Sequence, residues 1–229
     1  MSFAIRNTKA SDYSAIAALC KIVYPDSPPW NQDQINSHIR VFPEGQFVAE
    51  EIATGKIVGF SASLIIFWDD YDLDGSWRDF TEHGMFTNHN PEDGRTLYGA
   101  EIMVDPNYQG LGIGKLLYHH REELARHFRL LRIRAGARLR GYATYAKEMS
   151  PEEYTEQVIA GKIYDPTLSF QLKNRFKVLS VVSGYLKFDK ESLGYAAVIE
   201  WLNELVAKPR HYELGEARYR NIPSTIVPK

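Results

Sequence analysis

Three glycines, Gly110, Gly112 and Gly114, stand at alternate positions where a β-type run ends and an amphipathic helix begins. Residues 97–104 are apolar and β-prone, and residues 113–128 repeat apolar side chains at helical spacing, so the glycines occupy a strand-to-helix turn. Without Cβ atoms, backbone can approach a ligand closely while successive N–H groups point into one concavity at the helix N-terminus. The helix dipole adds about half a positive charge there. Such a turn is a phosphate nest, and Lys115 adds a point charge beside it.

Spacing separates this nest from two commoner phosphate loops. A Walker A loop on the same helix needs a glycine at position 109 and a serine or threonine at position 116, where the chain has Gln109 and Leu116. A dinucleotide fingerprint beginning at Gly110 needs a glycine at position 115, where Lys115 stands. A generic nucleotide-binding protein is disfavoured for that reason.

Elements on either side follow from pattern. Residues 3–6 read as a strand and residues 11–23 as a helix, with Ile16, Leu19 and Val23 on one face. Asn31 caps a short helix that ends before Pro43. Residues 47–51 and 57–68 form a hairpin around Thr54-Gly55, and residues 69–95 make a long aperiodic loop. After the glycine turn come a strand at 131–135 and a helix opened by Ser150, Pro151 and Glu153 and closed at Gly161. A helix at 166–174, strands at 178–188 and 195–201, and a polar tail complete the chain. The expectation is an α/β fold with a mixed central sheet flanked by helices on both faces. One domain spans 1–207, with insertions at about 69–95 and 138–165, followed by a tail at 208–229.

Charge and cysteine usage narrow the function. Twenty-seven basic against 29 acidic side chains give a net charge of −2, so no global field draws nucleic acid or anionic lipid. The single cysteine, Cys20, excludes an internal disulfide and sits in an apolar helical pattern, which reads as core rather than as a nucleophile. The N-terminus lacks a signal-like apolar stretch, and no run approaches a membrane span. A soluble, cytoplasmic protein is expected.

The glycine turn matches more than a phosphate nest. Gln109, Gly112 and Gly114, preceded by Val104-Asp105-Pro106, resemble the Gln/Arg-x-x-Gly-x-Gly/Ala signature of the GNAT N-acetyltransferases, and the order of elements follows that family over most of the chain. Phe42-Pro43-Glu44-Gly45-Gln46-Phe47, Leu97-Tyr98-Gly99-Ala100 and Leu168-Ser169-Phe170-Gln171 look like the GNAT module that some bacteria fuse to a carbon–nitrogen hydrolase, with no hydrolase expected to follow here. The resemblance implies acetyl-CoA as cosubstrate. It implies that backbone groups of Met103 and Val104 meet the pantetheine arm, and that the amides of Gln109, Gly110, Leu111, Gly112, Ile113, Gly114 and Lys115 hold the pyrophosphate.

Acyl transfer to an amine calls for a base and an acid. Glu101, on the motif strand, stands near the catalytic carboxylate of several GNAT enzymes, although a one-residue shift of register reverses its face. Many GNAT enzymes carry a tyrosine acid on the helix after the fifth strand, and that alignment puts Gln171 in its place. Tyr98 is the catalytic candidate that could substitute, with Tyr164 and Tyr185 as others. His120 is expected in the core, and the arginine run 129–140 is expected to be a solvated strand face. His83 and His89 show no metal-ligand spacing, so no metal is expected.

The expected activity is transfer of acetyl from acetyl-CoA directly to a primary amine. Trp30, Trp68 and Asp69 are candidate substrate contacts, and the aspartates at 69, 70, 72 and 74, with Trp68 and Tyr71, favour a cationic amine. Expected partners are a small-molecule or peptide amine, with neither nucleic acid nor membrane, and a homodimer is open to it. The rival is an acyl-CoA-binding regulatory module without catalysis.

Overall fold

The computed structural model describes residues 1–25, 27–70, 74–220 and 222. Its contacts divide the chain into two units, one of Met1–Trp68 with Arg78–Leu130, the other of Asp69–Trp77 with the chain from Leu131 onward.

The first unit is built on four antiparallel strands, β1 (Phe3–Asn7), β2 (Gln46–Glu51), β3 (Ile57–Ile66) and β4 (Thr96–Val104), each paired with the next. Helix α1 (Tyr13–Val23) packs on β3 and β4, and α2 (Gln32–Val41) starts from an Asn31–Gln34 capping box. Between β3 and β4 lie a short helix, α3 (Trp77–Phe80), and turns with Glu82, His83 and Phe86 at positive φ. Residues 71–73 of the aspartate-rich segment lie outside the described residues.

Helix α4 (Ile113–His127) lies across all four strands. Its buried residues are Ile113, Leu117, Tyr118, Arg121, Glu122, Leu124 and Ala125. Gly59 on β3 seats it: a Cβ there would stand 3.2 Å from Ile113 and 3.3 Å from Leu117. This burial corrects one expectation. His120 is half-buried and bonds the Leu116 carbonyl at 3.0 Å, while Leu116 is itself exposed.

The second unit carries β5 (Arg132–Arg138), β6 (Lys177–Val182) and β7 (Ala196–Leu202), antiparallel, with β7 between the other two. Helix α5 (Tyr142–Tyr145) precedes α6 (Pro151–Ile159), α7 (Leu168–Lys173) follows, and α8 (Ala217–Arg220) lies near the C-terminus. The capping box predicted for Ser150 and Glu153 is present. The strand expected over 178–188 stops at Val182. Beyond it Arg138 fixes the chain by two bonds of 2.7 Å to Asp189. Of the arginine run, Arg129 and Arg140 are exposed as expected, but Arg132, Arg134 and Arg138 on β5 are not a solvated face. Arg134 is buried and donates to the buried Glu200 at 2.8 Å, because a guanidinium out of water requires a carboxylate or equivalent acceptor.

Two imidazoles secure the segment before β4. Buried His38 stacks on Phe86 at 3.7 Å, and its Nε2 donates to the Gly84 carbonyl at 2.7 Å. Half-buried His89 stacks on Phe42, and its Nδ1 accepts from the Ile65 amide at 3.1 Å. Burial pushes both pKa values down from 6.5 to about 4, outweighing the Gly84 carbonyl at His38 and Glu44 at His89. Both rings are therefore neutral in the fold. The unfolded chain binds protons below its ordinary value of 6.5 while the folded chain resists them until about 4, so stability falls as pH drops through that window. His38→Gln is expected to start less stable at pH 7 but to lose less between pH 6.5 and 4, as read by urea midpoints across that range.

Candidate functional site

An inserted residue in β4 shapes the site. Tyr98 pairs with Leu64, Gly99 with Ser63 and Glu101 with Ala62, which leaves Ala100 as a β-bulge. Side chains alternate between the faces of a strand, and an inserted residue reverses the alternation beyond it. Unbroken counting would place Glu101 with Leu97 and Gly99. The bulge places it with Tyr98 and Met103 instead. That face meets α1, for Met103 Sδ lies 3.8 Å from Cys20 Sγ. The opposite face carries Ser61 and Ser63, which α4 covers through Arg121.

Glu101 is half-buried, and its Oε1 accepts the Tyr24 hydroxyl at 2.9 Å and the Ile102 amide at 3.0 Å. Tyr24 follows the last residue of α1, a position for which periodicity carries no functional signal. Cys20 is buried, with its thiol pushed up to about 12 by burial and further by the Glu101 charge, which keeps it an unreactive neighbour. Tyr98 is 1% exposed, with its ring 5.0 Å from Phe80 and 6.4 Å from Trp68. Trp68 and Trp30 are also buried, Trp30 against His38 and Phe86. Asp69 belongs to the second unit and is exposed. Gln171 is buried in α7, Tyr185 is buried with its hydroxyl accepting from the Gly136 amide, and Tyr164 is exposed.

Past Val104 the chain turns tightly. Asp105 is buried; one oxygen accepts from the Asn107 amide at 2.9 Å and the other from Lys56 at 3.0 Å. Burial alone would raise its pKa, but these donors outweigh it and hold the carboxyl below its ordinary range. Tyr108 completes the anchor, its hydroxyl 3.4 Å from Glu51 and its ring 4.6 Å beneath the Lys56 ammonium.

The nest follows directly. Gln109 is extended, Gly110 has φ +78°, and Gly112, the N-cap of α4, has φ +84°. A Cβ on Gly110 or Gly112 would meet nothing within 4 Å, so the glycines are required by backbone handedness and the cradle stays open. No side chain caps α4, and its first turn holds no acidic residue. The first amides of a helix lack intrahelical acceptors, so Ile113, Gly114 and Lys115 present N–H groups suited to a pyrophosphate. Leu111 and Lys115 are exposed beside them, while Met103 is buried and Val104 half-buried at the strand end. No group of three or more metal-ligating side chains occurs among the described residues.

This fold and this turn define a class: the chain belongs to the Acetyltransferase (GNAT) family, whose sequence model matches residues 13–149. Its fold is the expected α/β GNAT fold, a mixed sheet flanked by helices. The chain is 45% identical over 199 residues to the probable hydrolase YhcX of Bacillus subtilis, spanning 87% of this chain but only 38% of that protein. It is 39% identical over 208 residues to the uncharacterized N-acetyltransferase YkwB of the same organism, spanning 89% of this chain and 90% of that one. The loading GNATL domain of CurA from Lyngbya majuscula shares the fold with a TM-score of 0.75 at 22% identity, over 88% of this chain and 98% of that one. The match to YhcX agrees with the resemblance to hydrolase-fused GNAT modules.

Gly112→Ala places a side chain on a left-handed backbone at a cost of about 1–2 kcal/mol and shifts the amides of the nest. It is expected to weaken coenzyme A binding in calorimetry. Gly55→Ala, also at positive φ with open space around it, should lose comparable stability and retain affinity.

Proposed function

We propose that the chain is an N-acetyltransferase that moves an acetyl group from acetyl-CoA directly to a primary amine, with Glu101 as the base. The observation that supports this most is the half-buried Glu101 carboxylate, turned by the bulge onto the face of Tyr24 and Met103 a few residues before the open amide nest. Glu101 takes a proton from the amine, directly or through water, and the amine nitrogen forms a C–N bond to the thioester carbonyl carbon as the C–S bond breaks. The departing sulfur takes up a proton. Met103 and Val104 offer backbone to the pantetheine arm, and the amides from Gln109 to Lys115 take the pyrophosphate.

Tyr98, Trp68 and Trp30 serve in this reading as buried backing of the site, and Tyr24 is a hydroxyl that donates to the base. Asp69 favours a cationic small-molecule or peptide amine. The proposed setting is the cytoplasm, without nucleic acid or membrane as partner, and a homodimer is compatible with this chemistry. Among the described residues no helix is long and apolar enough to cross a membrane.

A second reading, an acyl-CoA-binding module without turnover, is favoured by Gln171, which stands where the family's tyrosine acid is expected and is buried. Both readings predict that coenzyme A raises the melting temperature by mass action. Mass spectrometry of products from an amine panel with acetyl-CoA separates them: an acetylated amine supports the enzyme, and binding without any product supports the module. Glu101→Gln is expected to leave coenzyme A affinity near wild type, lower kcat/KM about a hundredfold or more, and abolish the acid limb of its pH profile. An unaltered profile would assign Glu101 a structural part. Asp69→Asn is expected to raise KM for cationic amines at low salt and leave neutral amines unchanged.

A further inference from the structure

Arg121 lies on the buried side of α4 and is the largest fully buried side chain among the described residues. A guanidinium out of water is costly unless its inward N–H groups find acceptors. Those groups converge on one spot. Nε donates to Ser63 Oγ at 3.0 Å, and one terminal nitrogen donates to Ser61 Oγ at 2.6 Å, to the Ala62 carbonyl at 3.2 Å and to the Glu101 carbonyl at 2.6 Å. None of these acceptors is a carboxylate, and burial holds the guanidinium below its ordinary range although Tyr118 and the Glu101 charge pull it upward.

A leucine would fill the same place at less cost, so the hydrogen bonds are the distinguishing feature. All four acceptors belong to the two strands at the bulge, where inserted Ala100 breaks the ladder and Ala62 faces Glu101. A bulge left to itself is a place where a strand slips by one residue, and a slip of one here would send the Glu101 side chain to the α4 face. The planar guanidinium reaches serines on two successive α4-facing positions of β3 and a carbonyl of β4 together, a geometry that an ammonium does not reproduce.

We propose that Arg121 is a positioning residue that clamps the β3–β4 bulge from the α4 side and thereby aims the Glu101 carboxylate at Tyr24 and the acceptor amine. The inference rests on the acetyltransferase reading for its activity readout, and a spectroscopic readout makes its test independent of that reading.

The test uses the full chain with Arg121→Lys and, as milder variants that remove only acceptors, Ser61→Ala and Ser63→Ala. Coenzyme A affinity is measured by calorimetry, kcat and KM with the best amine of the panel, and the titration of the Glu101 carboxyl by carbon-13 NMR, assigned through its loss in Glu101→Gln. Arg121→Lys is expected to keep coenzyme A affinity within about twofold, to lower kcat about tenfold or more with little change in amine KM, and to displace the Glu101 titration. In the Glu101→Gln background it should cause no further loss, because it acts through that carboxylate. The serine variants should shift kcat and the titration in the same direction by less, and they carry the comparison if Arg121→Lys does not fold. Full kcat in the foldable variants, additive losses in the Glu101→Gln background, or an unmoved titration would overturn the clamp. If the wild type binds coenzyme A yet acetylates no amine, the transfer reading fails on its own, and the titration alone decides the part played by Arg121.

Discussion

One extra residue in β4 governs what the first unit presents. Because alternation along a strand is strict, inserting Ala100 reverses every side chain beyond it. Glu101 and Met103 thereby face α1, while Ile102, paired with Ser61, joins the face that α4 covers. The reversal must be held locally, since the ladder is weakest where the strands fall out of step, and buried Arg121 supplies donors at that place. The strand then runs on to the Asp105 turn, where a carboxylate held by Lys56 and the Asn107 amide starts the loop into α4.

The glycine turn was legible because its constraint is local. Gly110 and Gly112 occupy left-handed backbone, and the helix that follows has the period its apolar residues announce. The Asn31 and Ser150 caps were legible for the same reason, as each is satisfied within three residues. Family resemblance pointed to Glu101, but its direction was not legible, because a bulge arises from pairing between strands more than thirty residues apart and leaves no mark on the spacing of either.

Tyr24 escaped notice because a residue just past a helix end has no period to belong to, and its bond to Glu101 spans 77 positions. Arg121 did leave a signal, an arginine set four residues after Leu117 and three before Leu124 on the buried side of the helix. A charge where the helix period demands an apolar residue marks a buried polar contact. The arginines of β5 misled in the other sense, since alternation with apolar neighbours suggests a wet face when the opposing strand offers no partner, and β7 supplies Glu200. The strand expected through position 188 failed because its ladder ends where Val182 meets Ala196, the first residue of β7, and beyond it Arg138 holds Asp189.

The nest at the start of α4 consists of main chain alone. Its hydrogen-bond donors are therefore independent of which side chains decorate it: Leu111 and Lys115 are exposed, so the surface around the loop can be recoloured without removing the amides that grip an anion, even where the charge beside them changes. What cannot drift is handedness. A lineage of such chains is free to retune how the mouth of this loop looks to the outside, while Gly110 and Gly112, which contribute no functional group of their own, stay fixed by the sign of a torsion angle.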